Sequence, residues 1–182
     1  QFHGLSRFVG RDTALAELRS ALARAAGGHG QVVAMLGEPG VGKSRLLYEF
    51  VQGTGTRDWL ILQGGAFSYT QTTPYLPLIN LLKAYFQIAD RDDATKIGQK
   101  VTGKLAADEA AGTVLSPILA LLGVAVDDAN WIGLDAFERR RRTLDACRHI
   151  LMQKSHVQPV LVILEDLHWV DSETQAFLDA LV

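Results

Sequence analysis

The sequence predicts an α/β fold, a parallel sheet flanked by helices, and three observations predict it. Residues 31–36 (QVVAML) are an apolar run of strand length, followed by a glycine-rich turn and then by Leu46, Leu47 and Phe50 at helical spacing. Residues 159–166 (PVLVILED) are a second unbroken apolar run, which suits a strand buried on both faces of a parallel sheet and ending in two acids. Between the strands of that sheet lies a long stretch with helical patterning, so a helical insertion is expected before the acidic strand.

Taken in order, residues 11–26 carry Leu15, Leu18 and Leu22 at three- and four-residue spacing, which predicts a helix with one apolar stripe, closed by Gly27, Gly28, His29 and Gly30. The strand over 31–36 and a helix from Lys43 to Phe50 come next. Residues 59–63 (WLILQ) read as a further strand. A polar loop over 68–73 leads to Pro74 and Pro77, which mark the start of a helix bearing Leu78, Ile79, Leu81, Leu82, Tyr85 and Phe86. Tyr69, Tyr75, Tyr85 and Phe86 are assigned to core packing. Residues 93–154 predict further helices, broken near Gly112, Pro117 and Gly123 and at the turn over 127–130. Arg139, Arg140, Arg141 and Arg142 are consecutive, and about 100° of rotation per residue prevents all four from sharing one solvent face. Pairing with Asp135, Glu138 or Asp145 is expected, with at least one arginine leaning toward the protein body.

The turn between the first strand and its helix carries the chemistry. Gly37, Glu38, Pro39, Gly40, Val41, Gly42, Lys43 and Ser44 match the pattern G-x-x-x-x-G-K-[ST]. Gly37, Gly40 and Gly42 let the backbone curl until successive N–H groups face one concavity, a nest for phosphate oxygens. Lys43 can place an ammonium on the β and γ phosphates, and the short Ser44 hydroxyl suits a Mg2+ ion bridging them. The N-terminal dipole of the following helix adds to the attraction. Glu165 and Asp166, at the carboxyl edge where ligands of open α/β sheets bind, supply the complementary half. Glu165 is expected to hold Mg2+ through water, and Asp166 to orient or deprotonate the water that attacks the γ-phosphate. The cofactors implied are ATP or ADP and Mg2+, and the P-loop NTPase architecture follows.

Composition narrows the alternatives. At 182 residues and 48% hydrophobic, the chain can bury one substantial core. A net charge of −2 gives no basic field for nucleic acid, so nucleic acid is not an expected partner. Cys147 is the single cysteine, which leaves no intrachain disulfide, and His3, His29, His149, His156 and His168 are scattered without metal-ligand spacing. No apolar stretch approaches the roughly 18 residues that would span a bilayer. With no signal-peptide pattern and Gln1 in place of methionine, a cytoplasmic module excised from a larger chain is expected.

Three segments resemble a known family. Residues 8–12 (FVGRD), the phosphate loop continued through Arg45 and Leu46, and residues 164–171 (LEDLHWVD) are similar, in this order, to the ATPase module of STAND-type signalling ATPases within the AAA+ group. Residues 73–77 (TPYLP) and 83–86 (KAYF) extend the similarity to bacterial proteins in which a class III adenylate or guanylate cyclase precedes the ATPase. The resemblance implies that Phe8, Val9 and Arg11 contact the base or ribose, that Arg45 belongs to the nucleotide-binding loop, and that the partners are other domains of the parent protein. It implies a slow Mg-ATPase switch controlling an output domain. An AAA+ ATPase of DNA-handling, origin-recognition type and a nucleotide-binding scaffold without hydrolysis are the alternatives. The family's sensor strand and lid find no counterpart in residues 1–182, which read as the N-terminal part of one C-terminally truncated domain. In the family's sheet order the sensor strand lies between the phosphate-loop strand and the acidic strand, so a rearranged sheet, self-association into a homo-oligomer and weak turnover are expected.

Overall fold

The computed structural model describes residues 9–65 and 74–181. Phe8 and the polar loop over 68–73, Tyr69 included, lie outside the described residues. The chain forms two compact units, Gln1–Trp59 and Leu60–Val182.

The first unit is built on two helices. Helix α1 spans Asp12–Ala26 and buries Leu15, Leu18 and Ala21, the stripe its spacing predicts, with Leu22 half-buried beside it. It closes on Gly28, whose φ of 87° only glycine adopts without strain. The amides of Gly28 and His29 return to the carbonyls of Ala25 and Arg24 at 3.0 and 3.1 Å. Helix α2 spans Lys43–Val51 and buries Leu46 and Phe50. A single 3-10 turn, Thr54–Thr56, comes after it, with the buried Thr56 hydroxyl donating to the carbonyl of Val51 at 2.6 Å.

The strand expected over residues 31–36 does not form among the described residues. No ladder hydrogen bond joins this run to another segment, and Val32 and Leu36 are 73% and 94% exposed. Apolar sequence supplies the propensity for a strand, but pairing makes one, and no described segment pairs here. Gln31 instead turns its side chain onto the end of α1, accepting from Arg24 Nε at 2.8 Å and donating to the carbonyls of His29 and Gly30.

The second unit contains the sheet and most of the helices. Strands β1 (Leu60–Gly65) and β2 (Val160–Glu165) pair in parallel from Leu60 opposite Val160 to Gly65 opposite Glu165. Parallel partners need a long crossover, and among the described residues five helices provide it: α3 (Leu76–Phe86), α4 (Ala94–Leu105), α5 (Ala111–Leu121), the single turn α6 (Ala129–Ile132) and α7 (Ala136–Ser155). Helix α8 (Ser172–Leu181) follows β2. Leu62, Leu78, Leu82, Phe86, Val101, Ile118, Cys147, Ile150 and Phe177 form one apolar cluster that joins β1 to α3, α4, α5, α7 and the helix that follows β2. β2 is not buried on both faces as its composition predicts. Only Ile163 is buried and its neighbours are half-exposed, because a two-stranded sheet gives each strand a single partner.

One of the expected helix breaks is absent. Pro117 lies inside α5 and is buried against the core, so packing outweighs the roughly 3 kcal/mol that proline costs in a helix interior. The break near Gly112 is present, since α4 and α5 are separated over 106–110 and Gly112 is the second residue of α5. The break at Gly123 holds too: at φ 77° it ends α5 with its own amide on Ala120 and that of Val124 on Leu119. Asp93, Asp128 and Asp135 cap α4, α6 and α7, each accepting from an amide two or three residues on.

Candidate nucleotide-binding site

The phosphate loop lies wholly in the first unit, and of its three glycines Gly40 and Gly42 take the expected positive φ while Gly37 does not. Gly40 and Gly42 sit at φ 81° and 89°, each with nothing within 4 Å of where a Cβ would stand. Their freedom is therefore spent on backbone direction and on leaving the concavity open. Gly37 is small for a different reason, since a Cβ there would approach Val41 Cγ2 to 3.1 Å. Gly42 is the N-cap of α2 and no side chain caps the helix, so the opening amides of α2 belong to the loop. The Lys43 ammonium folds back across this concavity and donates to the carbonyls of Gly37 at 2.8 Å and Glu38 at 3.0 Å. Val41 N–H closes a loose turn on the Glu38 carbonyl at 3.5 Å.

Arg11 and Arg45 have defined partners. The Arg11 guanidinium donates from Nη2 to the carbonyl of Val41 at 2.6 Å, tying the segment ahead of α1 to the phosphate loop. Val9 is exposed in the same segment. Arg45 is held by Glu49 one turn along α2, with Nη2 2.5 Å from Oε1.

Glu165 and Asp166 lie in the second unit, at the carboxyl edge of the sheet. Glu165 is the last residue of β2, half-buried and in register with Gly65. Asp166 is exposed and leaves the strand in the left-handed region, at φ 57° and ψ 42°, opening the 3-10 turn Leu167–Trp169. Aspartate is one of the few residues that visit this region at modest cost, because its short side chain bonds locally.

Beyond the two acids the chain makes a set of bonds that sequence reasoning missed. Asp171 ends the turn and caps α8. Oδ1 accepts from the amides of Glu173 and Thr174, both at 3.0 Å, and from the amide of Tyr75 at 3.1 Å, while Oδ2 accepts from the Thr174 hydroxyl at 2.7 Å. Partial burial would raise this carboxyl, but the bonds from Thr174, Tyr75 and Glu173 outweigh it and hold it below the usual carboxylate range. Tyr75 is gripped a second time, its phenol donating to Glu173 Oε2 at 2.8 Å, and Arg140 Nε donates to the same oxygen at 2.6 Å. Burial first and then Glu173 push the phenol far above its ordinary value, so it stays a donor. Tyr75 sits at φ 63°, a strained position for an aromatic residue, and these bonds hold it there. The acid before Ser172, Glu173 and Thr174 is a readable N-cap, but the link to Tyr75, 96 residues away, has no local signal.

Arg140 is thus the arginine that leans inward. Arg141 and Arg142 pair with Glu138 at 2.6 and 3.2 Å, as expected, and Arg139 donates to the carbonyl of Ile132 at 2.6 Å. Among the described residues no group of three or more His, Cys, Asp or Glu side chains could hold a metal ion, and no helix is long and apolar enough to cross a membrane.

A parallel α/β unit and a G-x-x-x-x-G-K-[ST] loop leading into a helix are the features of the P-loop class. The chain belongs to the AAA ATPase domain family, whose pattern it matches over residues 7–182. No curated protein and no solved structure matches it.

Proposed function

We propose that this chain binds Mg-ATP and serves as a slow, regulatory ATPase switch in a multidomain signalling protein of the cytoplasm. The observation that carries the reading is the phosphate loop: Gly40 and Gly42 in positive φ, an uncapped α2 and the Lys43 ammonium at the concavity. Lys43 here satisfies two loop carbonyls, and phosphate oxygens would take it over. Gly37 through Ser44 would hold the polyphosphate, with Arg45 flanking them, Ser44 and Glu165 would hold Mg2+, and Asp166 would orient the attacking water. Bound Mg2+ would screen the charge that builds on the phosphates. Phe8 and Val9 would line the base pocket. A P-loop switch that lacks an arginine finger turns over at about 10⁻⁴ to 10⁻² per second, so a complete loop is compatible with slow hydrolysis. The resemblance over residues 73–77 and 83–86 supports an output domain such as a nucleotide cyclase.

Thermal denaturation tests the reading. ATP at about 100 times its dissociation constant stabilises a binding-competent fold by ~2.7 kcal/mol, or roughly 5 to 10 °C for a domain of this size. Lys43→Ala is expected to abolish that shift while changing the nucleotide-free melting point by little, since its two bonds lie at the surface. An equal shift in both proteins overturns the assignment.

A further inference from the structure

We propose that Arg11 is a positioning residue that sets the direction of the Val41–Gly42 peptide, and so holds the loop in its anion-accepting form through the backbone. The inference rests on the reading of residues 37–44 as an ATP site. In a trans peptide the C=O and the following N–H point in opposite directions. Anchoring the Val41 carbonyl on Arg11 Nη2 at 2.6 Å therefore aims the Gly42 N–H the other way. If this peptide turned over, it would direct a carbonyl oxygen where the nest needs a donor.

The loop itself offers little resistance to that turn. Gly40 and Gly42 flank Val41, both glycines have open space around them, and Val41 is 40% exposed, so packing does not fix the plane. Arg11 is fixed. Its own carbonyl accepts the Leu15 amide at 3.0 Å, making it the N-cap of α1, and α1 is anchored by Leu15, Leu18 and Ala21. An anchored helix end thus bonds a loop peptide whose plane packing does not fix. Direct contact with the base or ribose, which the family resemblance implies for Arg11, makes a different prediction from bracing.

Titration calorimetry separates the two, using Mg-ATP and magnesium tripolyphosphate, which has no base or ribose. Losing one hydrogen bond with a charged donor weakens binding by about tenfold. Arg11→Met is expected to weaken both ligands by this same factor, and the ratio to wild type should hold from low to high salt. Arg11→Lys should recover part of the loss, because its ammonium can still donate to the carbonyl. A loss confined to Mg-ATP would assign Arg11 to the base or ribose, and a loss that vanishes at high salt would make it a through-space charge; either overturns the proposal. Wild-type protein that binds neither ligand overturns the ATP-site reading itself. Should Arg11→Met fail to fold, Arg11→Lys carries the same two-ligand comparison.

Discussion

Gly42 shows how much one backbone angle can decide. At φ 89° an L-residue costs about 1–2 kcal/mol, and the space around it is empty, so the cost of a side chain there is conformational alone. Gly42→Ala should lower the melting point by roughly 2 to 8 °C and weaken ATP further by spoiling the nest, which calorimetry and denaturation measure separately. Asp166 presents the mirror case, a non-glycine residue at φ 57° whose replacement by Asn keeps a side chain suited to that region. Asp166→Asn is therefore expected to keep ATP affinity and to lose single-turnover hydrolysis by about 10² to 10⁴-fold. Glu165→Gln should instead weaken the magnesium-dependent part of binding. Wild-type turnover in Asp166→Asn would remove that residue from the role of base.

Among the elements, α8 and α3 meet at a knot in which one carboxylate serves four donors. Asp171→Ala removes a helix cap and leaves the Tyr75 amide without its acceptor, a loss of about 2 kcal/mol that urea denaturation can read. The pH dependence has a defined sign. Because the folded carboxyl is depressed, the stability it confers is fully present above the unfolded value near ~4 and fades as pH falls through the lower folded value. Asp171→Asn should flatten that acid limb. β1 and α3 meet as closely at Gly64, where a Cβ would stand 3.0 Å from the Pro77 carbonyl oxygen and 3.1 Å from Leu164 Cδ2. Gly64→Ala is expected to cost about 1–3 kcal/mol as overpacking. The helices were legible in sequence wherever apolar spacing agreed with glycine or proline boundaries, as in α1, α2 and α3, and the two strands wherever β-rich runs found partners. The run over 31–36 failed because strand pairing is nonlocal and composition cannot supply the neighbour. Pro117 misled because a local rule ignored the core behind it. The loop's motif could be read residue by residue, since its pattern is confined to eight consecutive positions, whereas the Arg11 bond to Val41 and the Asp171 bond to Tyr75 join distant segments.

For the molecule as a whole, the two units are unequally provided with apolar interior. Among the described residues the first buries Leu15, Leu18, Ala21, Leu46 and Phe50, while the second owns the continuous cluster from Leu62 to Phe177. Fewer buried contacts mean easier opening, so amide exchange should be faster in α1 and α2 than in α5 and α7. Since the phosphate loop belongs to the first unit, Mg-ATP should slow exchange in α2 far more than in α5, and uniform slowing would contradict that local effect. Cys147 adds a consequence of its own. It is 1% exposed and burial pushes its thiol well above the ordinary range, so in the closed protein it is shielded from alkylating reagents. With one cysteine in the whole chain, every molecule carries either no label or one. The fraction labelled over time is then a stopwatch for the opening of the second unit alone, readable by intact mass without any engineered probe.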